Sequence, residues 1–214
     1  MRSRSAYSFF VFIALSICLL SFNSYAQKPT GKTFFDIGVE NAENAEYSEA
    51  IDAFKQAIKL KPDYAEAYFN LGHSYYNLHR YTEALESYKN AVKINPKFEE
   101  ALISLGVVSS MLGNQKEAVK ALESAVMVNP ENAESHYTLG NLYSDLRRYQ
   151  NAVDAYKQAL KIKPEFAEAR FHLGIAYVKL GNSMLPAAKK ELEALKPLNR
   201  DLADELDSLI KSAK

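Results

Sequence analysis

The amino-acid sequence predicts an all-α, right-handed solenoid of about five helix hairpins, closed by a C-terminal capping helix and preceded by an export segment. Three observations lead there. Pro62, Pro96, Pro130 and Pro164 stand 34 residues apart, and Gly38, Gly72, Gly106, Gly140 and Gly174 keep the same interval. So do two alanine series, Ala50, Ala84, Ala118 and Ala152, and Ala57, Ala91, Ala125 and Ala159. Several registers in phase are the mark of a repeat array in which each unit is one supersecondary element. The composition is compatible with this: 48% of the 214 residues are apolar, enough for a packed core. Lys plus Arg number 26 and Asp plus Glu number 26, so no net field draws nucleic acid phosphates or an anionic membrane. A single cysteine excludes an internal disulfide framework and a four-thiolate zinc site.

Residues 1–26 read as a secretory signal peptide. Arg2 and Arg4 form a basic start without acidic residues, Phe9 to Leu20 is apolar apart from Ser16, and Ser24-Tyr25-Ala26 offers small residues for cleavage before Gln27. About 12 apolar residues rise roughly 18 Å in a helix, short of the roughly 30 Å hydrocarbon core, so no stable membrane span is expected after cleavage. Leu15-Ser16-Ile17-Cys18 resembles a lipobox, but Ile17 occupies the place of a small residue, and Cys18 is read as part of the apolar run. The mature chain then holds 24 basic and 26 acidic residues and no thiol. A bacterial periplasm is the expected location, or otherwise the outside of the cell. Residues 27–30 form a short linker.

The repeats run 31–64, 65–98, 99–132, 133–166 and 167–200. Within the second, Tyr68, Leu71 and Tyr75 are spaced i, i+3, i+7 along a first helix, and Leu85, Tyr88 and Val92 repeat that spacing on a second. Gly113-Asn114 and Gly181-Asn182 mark turns between paired helices. Each proline ends a unit, and Asp63 with Glu66 three residues on predicts a capping box for the next helix. A glycine inside a helix costs about 1 kcal/mol relative to alanine, so five at one register predict close approach of the paired helix. In the fifth unit Pro186 falls where a small residue belongs. A two-residue insertion after Gly181 brings Ala188 and Leu192 back into register, with Arg200 in the proline place. Residues 201–214 follow as a capping helix with Leu202, Leu206, Leu209 and Ile210 as its apolar stripe.

With Tyr68, Leu71, Gly72, Tyr75, Ala84, Tyr88, Ala91 and Pro96 at fixed offsets in the second unit, and Leu139, Gly140, Tyr143, Ala152, Tyr156, Ala159 and Pro164 in the fourth, the chain resembles a tetratricopeptide repeat (TPR) protein. His136 in the fourth unit, Ser109 in the third and Asn41 in the first depart from the family's large residues. The resemblance covers about residues 31–200. It implies that the first helix of every unit lines a concave face and that the partner is a protein or peptide.

On that face the residues beside the packing stripe are Phe35 and Val39; Phe69, His73 and Tyr76; Ile103, Val107 and Ser110; Tyr137, Asn141 and Ser144; Phe171, Ile175 and Val178, with i, i+4, i+7 spacing placing each group on one helix side. Of these, Phe35, Phe69, His73, Tyr76, Ile103, Val107, Tyr137, Asn141, Phe171 and Ile175 are the candidate partner-binding residues. Two readings stand side by side: this apolar and aromatic row binds a segment of a partner, or it packs between neighbouring first helices. Chaperone-binding TPR proteins clamp carboxylates with a lysine and an asparagine. Here the lysine place holds Phe35, Phe69, Ile103, Tyr137 and Phe171, and only Asn141 matches the asparagine place. The asparagine ladder of O-linked N-acetylglucosamine transferase corresponds to Asp36, Asn70, Ser104, Thr138 and His172, a single match. His73, His79, His136 and His172 occupy four different repeat positions, whereas metal ligands must converge. No phosphate-cradling glycine loop and no Gly-x-Ser-x-Gly elbow is present. The expectation is a non-catalytic adaptor or assembly factor without cofactor or metal, and without nucleic acid. The alternative is a self-association module that forms homo-oligomers.

Overall fold

The computed structural model describes residues 29–213; the predicted signal peptide and its cleavage site lie outside them. Eleven α-helices and no strand occur among the described residues. They are α1 Gly31–Glu43, α2 Tyr47–Leu60, α3 Ala65–Asn77, α4 Tyr81–Ile94, α5 Glu99–Met111, α6 Gln115–Val128, α7 Ala133–Asp145, α8 Tyr149–Ile162, α9 Ala167–Leu180, α10 Leu185–Leu195 and α11 Arg200–Ser212. Consecutive helices pack as antiparallel pairs, each second helix also touches the first helix of the next unit, and first helices meet between units one and two, three and four, and four and five. This is a solenoid of helix hairpins, in which each unit buries its apolar faces against its neighbours.

The second helices are strongly two-sided. In α2, Ala50, Ile51, Ala53, Phe54 and Ala57 are buried while Glu49, Asp52, Lys55 and Lys59 face water. The turn between paired helices has one geometry in the first four units and a different one in the fifth, where Gly181 combines its positive φ with an extended ψ. The central residue has a positive φ, Ala45 at +61°, His79 at +58°, Gly113 at +77°, Arg147 at +56° and Gly181 at +107°. In the first four units the next amide donates back to a carbonyl five residues earlier, as Glu46 N to Asn41 O at 2.8 Å and Arg148 N to Tyr143 O at 2.8 Å. This is a Schellman ending, and only one of its four sites, Gly113, holds glycine.

The glycine register seats a large side chain from the second helix. A methyl group at Gly140 would lie 2.5 Å from the Tyr156 ring, one at Gly72 2.7 Å from Tyr88, and one at Gly106 2.5 Å from Leu122. The expected close approach is present, and its partner is the residue 16 positions on. Gly174 departs: its neighbour is Leu206 of α11, at 2.5 Å, so the capping helix occupies the seat that the second helix fills elsewhere.

Three expectations are corrected. Asp63 and Glu66 form no capping box; α3 is capped by Tyr64, without a side-chain hydrogen bond. Tyr64, Phe98 and Phe166 hold this place in three units, and their rings join the packing described below, so an apolar contact replaces the polar cap. Arg200 is the first residue of α11, capped by Asn199, rather than the stop of the fifth unit; Pro197 lies in that stop. On α11 the buried residues are Ala203, Leu206 and Ile210, with Leu202 and Leu209 only half-buried, because the packing seam runs one position round from the predicted stripe. The fifth hairpin otherwise follows the repaired register: Asn182–Met184 form a 3-10 turn, and Ala188, Leu192 and Leu195 are buried.

Candidate functional site

The ten candidate residues all lie on the first helices, and the structure divides them into two sets. Phe35, Phe69 and Tyr137 belong to three-ring clusters that join neighbouring units. Phe35 lies 5.8 Å from Phe54 and 4.9 Å from Tyr64, Phe69 5.8 Å from Tyr88 and 5.0 Å from Phe98, and Tyr137 6.0 Å from Tyr156 and 4.9 Å from Phe166. Tilted rings at these separations attract through their quadrupoles. Phe171 is buried, with its ring edge-on to His172 at 5.3 Å. The aromatic register thus stacks the repeats.

The third unit lacks this cluster. Ile103, Leu122 and Asn132 stand at its three ring positions. Glu99 instead accepts hydrogen bonds from Asn129 Nδ2 at 2.7 Å, Asn132 Nδ2 at 2.5 Å and Ser135 Oγ at 2.9 Å. Asn132 Oδ1 also accepts from the amides of Glu134 and Ser135, capping α7. A carboxylate bonded to three donors takes over the connection that rings make elsewhere.

His73, Tyr76, Val107 and Asn141 border open grooves between first helices. Between α3 and α5, His73, Tyr76, Tyr88, Ile103, Ser104, Val107 and Val108 line a pocket of about 140 Å³. Between α5 and α7, a pocket of about 410 Å³ is lined by Gly106, Val107, Ser110, Met111, Leu122, Thr138, Asn141, Leu142 and Asp145. The two share Val107 and form one furrow across the middle repeats. Asn141 Oδ1 accepts from the Tyr156 hydroxyl at 2.8 Å, and Asn141 Nδ2 has no acceptor among the described residues. Ile175 is half-buried against the core on the fifth unit.

Burial sets the protonation of the rings beneath the furrow. Desolvation pushes the Tyr88 hydroxyl up to about 12 and raises that of Tyr156 further. Tyr143 also rises to about 12, through burial and its 2.7 Å hydrogen bond to Glu123. Burial lowers the pKa of His172, which stacks on Tyr156 at 6.0 Å. These groups stay neutral near pH 7; Tyr88 lines the smaller pocket, and with Tyr76, Ser104, Ser110 and Thr138 the furrow offers apolar walls, hydroxyls and an amide, with Asp145 also on its wall. Among the described residues no three His, Cys, Asp or Glu side chains are grouped as metal ligands, and no helix is long and apolar enough to cross a membrane.

Sequence reading missed Met111, Leu122, Leu142 and Asp145 as wall residues, and placed Ser104 and Thr138 on the inner face only through the asparagine-ladder comparison. The signal for Leu122 was available: it interrupts the column that holds Tyr88 and Tyr156.

Hairpins of this geometry, stacked with a furrow along their first helices, define a helical-repeat binding scaffold. Family models agree with it: TPR repeat models match residues 43–79 and 140–181, and tetratricopeptide repeat models match 65–98 and 99–132. The chain belongs to the tetratricopeptide repeat family. Comparison with curated proteins gives no match. Among solved structures, the chain is similar to the MamA protein (27% identity, 81% of this chain and 94% of that one, TM-score 0.73). It also resembles a MamA fragment from Desulfovibrio magneticus RS-1 (22% identity, 80% and 96%, TM-score 0.72). YrrB, a TPR protein with an unusual peptide-binding site, shares the fold at 20% identity, over 85% and 94% of the chains, with a TM-score of 0.73.

Proposed function

We propose that this chain is an exported, non-catalytic scaffold that binds a peptide segment or helix of a partner protein along the inner face of its first helices, as an adaptor or assembly factor. The observation that carries this reading is the continuous furrow through α3, α5 and α7, where apolar side chains and an unsatisfied amide stand open between repeats. Apolar walls with a few convergent polar groups are the usual build of a recognition groove. YrrB, described as a TPR protein with an unusual peptide-binding site, is a precedent for peptide binding on this fold. Export rests on the basic and apolar start of the chain with Ser24-Tyr25-Ala26 before Gln27, and N-terminal sequencing of the exported protein is expected to begin at Gln27.

Affinity capture from an envelope fraction tests the binding surface, comparing the wild type with His73→Ala/Val107→Asp/Asn141→Ala. His73 is exposed and Val107 and Asn141 are half-buried. Because Asn141→Ala also removes the acceptor of the Tyr156 hydroxyl, the variant is compared only after its circular dichroism and melting temperature are shown to match a folded chain. Loss of the captured proteins by the variant supports the furrow; recovery of the same set by both rejects it.

A specific observation favours self-association as a second reading. Ile37 is 41% exposed at the open end of the first hairpin, whereas its repeat equivalents Leu71, Leu105, Leu139 and Leu173 are 2–7% exposed. Light scattering after size exclusion decides: a stable dimer abolished by Ile37→Lys supports this reading, and a concentration-independent monomer opposes it.

A further inference from the structure

The two pockets of the furrow are the same site in successive repeats, yet they differ about threefold in volume, 140 Å³ against 410 Å³. Moving the first by one 34-residue period superimposes His73 on Val107, Tyr76 on Ser110, Tyr88 on Leu122 and Ser104 on Thr138. Two tyrosines of the smaller pocket therefore become a leucine and a serine in the larger. At the floor, the Tyr88 ring covers Gly72 in the second repeat and the Tyr156 ring covers Gly140 in the fourth, but the shorter Leu122 covers Gly106 between them. One group beside a tyrosine hydroxyl persists. Ser104 stands beside the Tyr88 hydroxyl, and Thr138 holds the equivalent place in the larger pocket. Thr138 Oγ1 donates to Glu134 O at 2.8 Å and so keeps lone pairs free to accept.

We infer that the socket between the third and fourth repeats receives a tyrosine side chain from an extended segment of the partner protein, supplying from outside the ring that this repeat lacks. The apolar floor of Leu122, Val107 and Leu142 would meet the ring. Thr138 and Asn141 Nδ2 would meet its hydroxyl, as acceptor and donor. A buried aromatic anchor in such a socket is the usual centre of a binding interface. This inference deepens the function proposed above and rests on it for the identity of the partner as a protein. Its test uses no partner, so the two can fail separately.

The probe is 4-methylphenol, the tyrosine side chain alone, added to the mature protein and followed by amide chemical shifts. A fragment of this size is expected to bind at roughly millimolar concentration. It should shift the amides of Val107, Thr138 and Asn141, and bind at least tenfold more weakly to Leu122→Tyr, which restores the ring of the neighbouring repeats. Ser110→Tyr restores the wall residue and is expected to act likewise if Leu122→Tyr does not fold. Equal binding to wild type and variants, no shift in the wild type, or tighter binding of n-butylammonium, the lysine side chain, through Asp145 would each overturn the inference.

Discussion

Ala45, His79 and Arg147 adopt left-handed backbone angles at the interhelix turn, where the third and fifth repeats have glycine. A side chain there costs about 1–2 kcal/mol, while glycine loses about 0.4–1 kcal/mol through the freedom of the unfolded chain. Ala45→Gly should therefore stabilise the protein by about 0.5–1 kcal/mol, read as a rise of about 2 °C in melting temperature by calorimetry. Gly140→Ala should do the reverse. Its gain of about 1 kcal/mol in helix propensity is set against a methyl group 2.5 Å from the fully buried Tyr156 ring, and overpacking of this kind costs about 1–3 kcal/mol. The tyrosines also make stability depend on alkaline pH. Tyr88 and Tyr143 are raised from 10.0 to about 12 in the folded protein, so their contribution is complete below pH 10 and is lost between about pH 10 and 12. Circular dichroism across that window should show the midpoint of urea unfolding falling, and a Tyr88→Phe/Tyr143→Phe variant should fall less.

At the scale of elements, the fifth hairpin shows how a degenerate repeat is held. Arg170, in the column of Tyr68 and His136, donates to Glu191 Oε2 at 2.8 Å and to Pro164 O at 2.8 Å, tying α9 to α10. Both charges are mostly buried, with side chains 17% and 14% exposed. Removing one partner strands the other charge, so Arg170→Met should destabilise by about 2 kcal/mol, and adding Glu191→Leu should recover most of the loss in a double-mutant cycle. The capping helix α11 does more than shield an end, since Leu206 occupies the Gly174 seat. Deleting residues 200–214 should lower the melting temperature by several degrees and increase binding of a hydrophobic dye. The helices and their pairing were legible because 34-residue columns of glycine, alanine and proline repeat without interruption through four units. The seat of Gly174 was not: a contact from outside the period, made by a helix with no counterpart in the repeat, leaves no mark in the columns. Asp63 misled for a related reason, since the chain turns into α3 with the Tyr64 ring on the core and leaves the carboxylate one residue too early.

Over the whole molecule, the period builds the scaffold and its interruptions mark the proposed site. Phe35, Phe69 and Tyr137 look like a binding ladder in sequence because a large residue on an inner helix face serves either a ligand or the next repeat. The rings that meet them, Tyr64, Phe98 and Phe166, show that they pack between repeats while staying half-buried. The furrow was half legible: His73, Tyr76, Val107 and Asn141 follow from helical spacing, whereas Leu122 enters through the exchange of a ring for a shorter side chain and Thr138 stands in the column of Ser104. With equal numbers of acidic and basic residues in the full sequence, a ligand would be held by shape and apolar contact more than by long-range attraction. Hydrogen–deuterium exchange on residues 27–214, with and without a protein recovered from the envelope, tests the central claim most directly. Protection is predicted in α5 and α7, over 103–111 and 138–145. Protection confined to α2, α4, α6 and α8, or to the first hairpin, would contradict it.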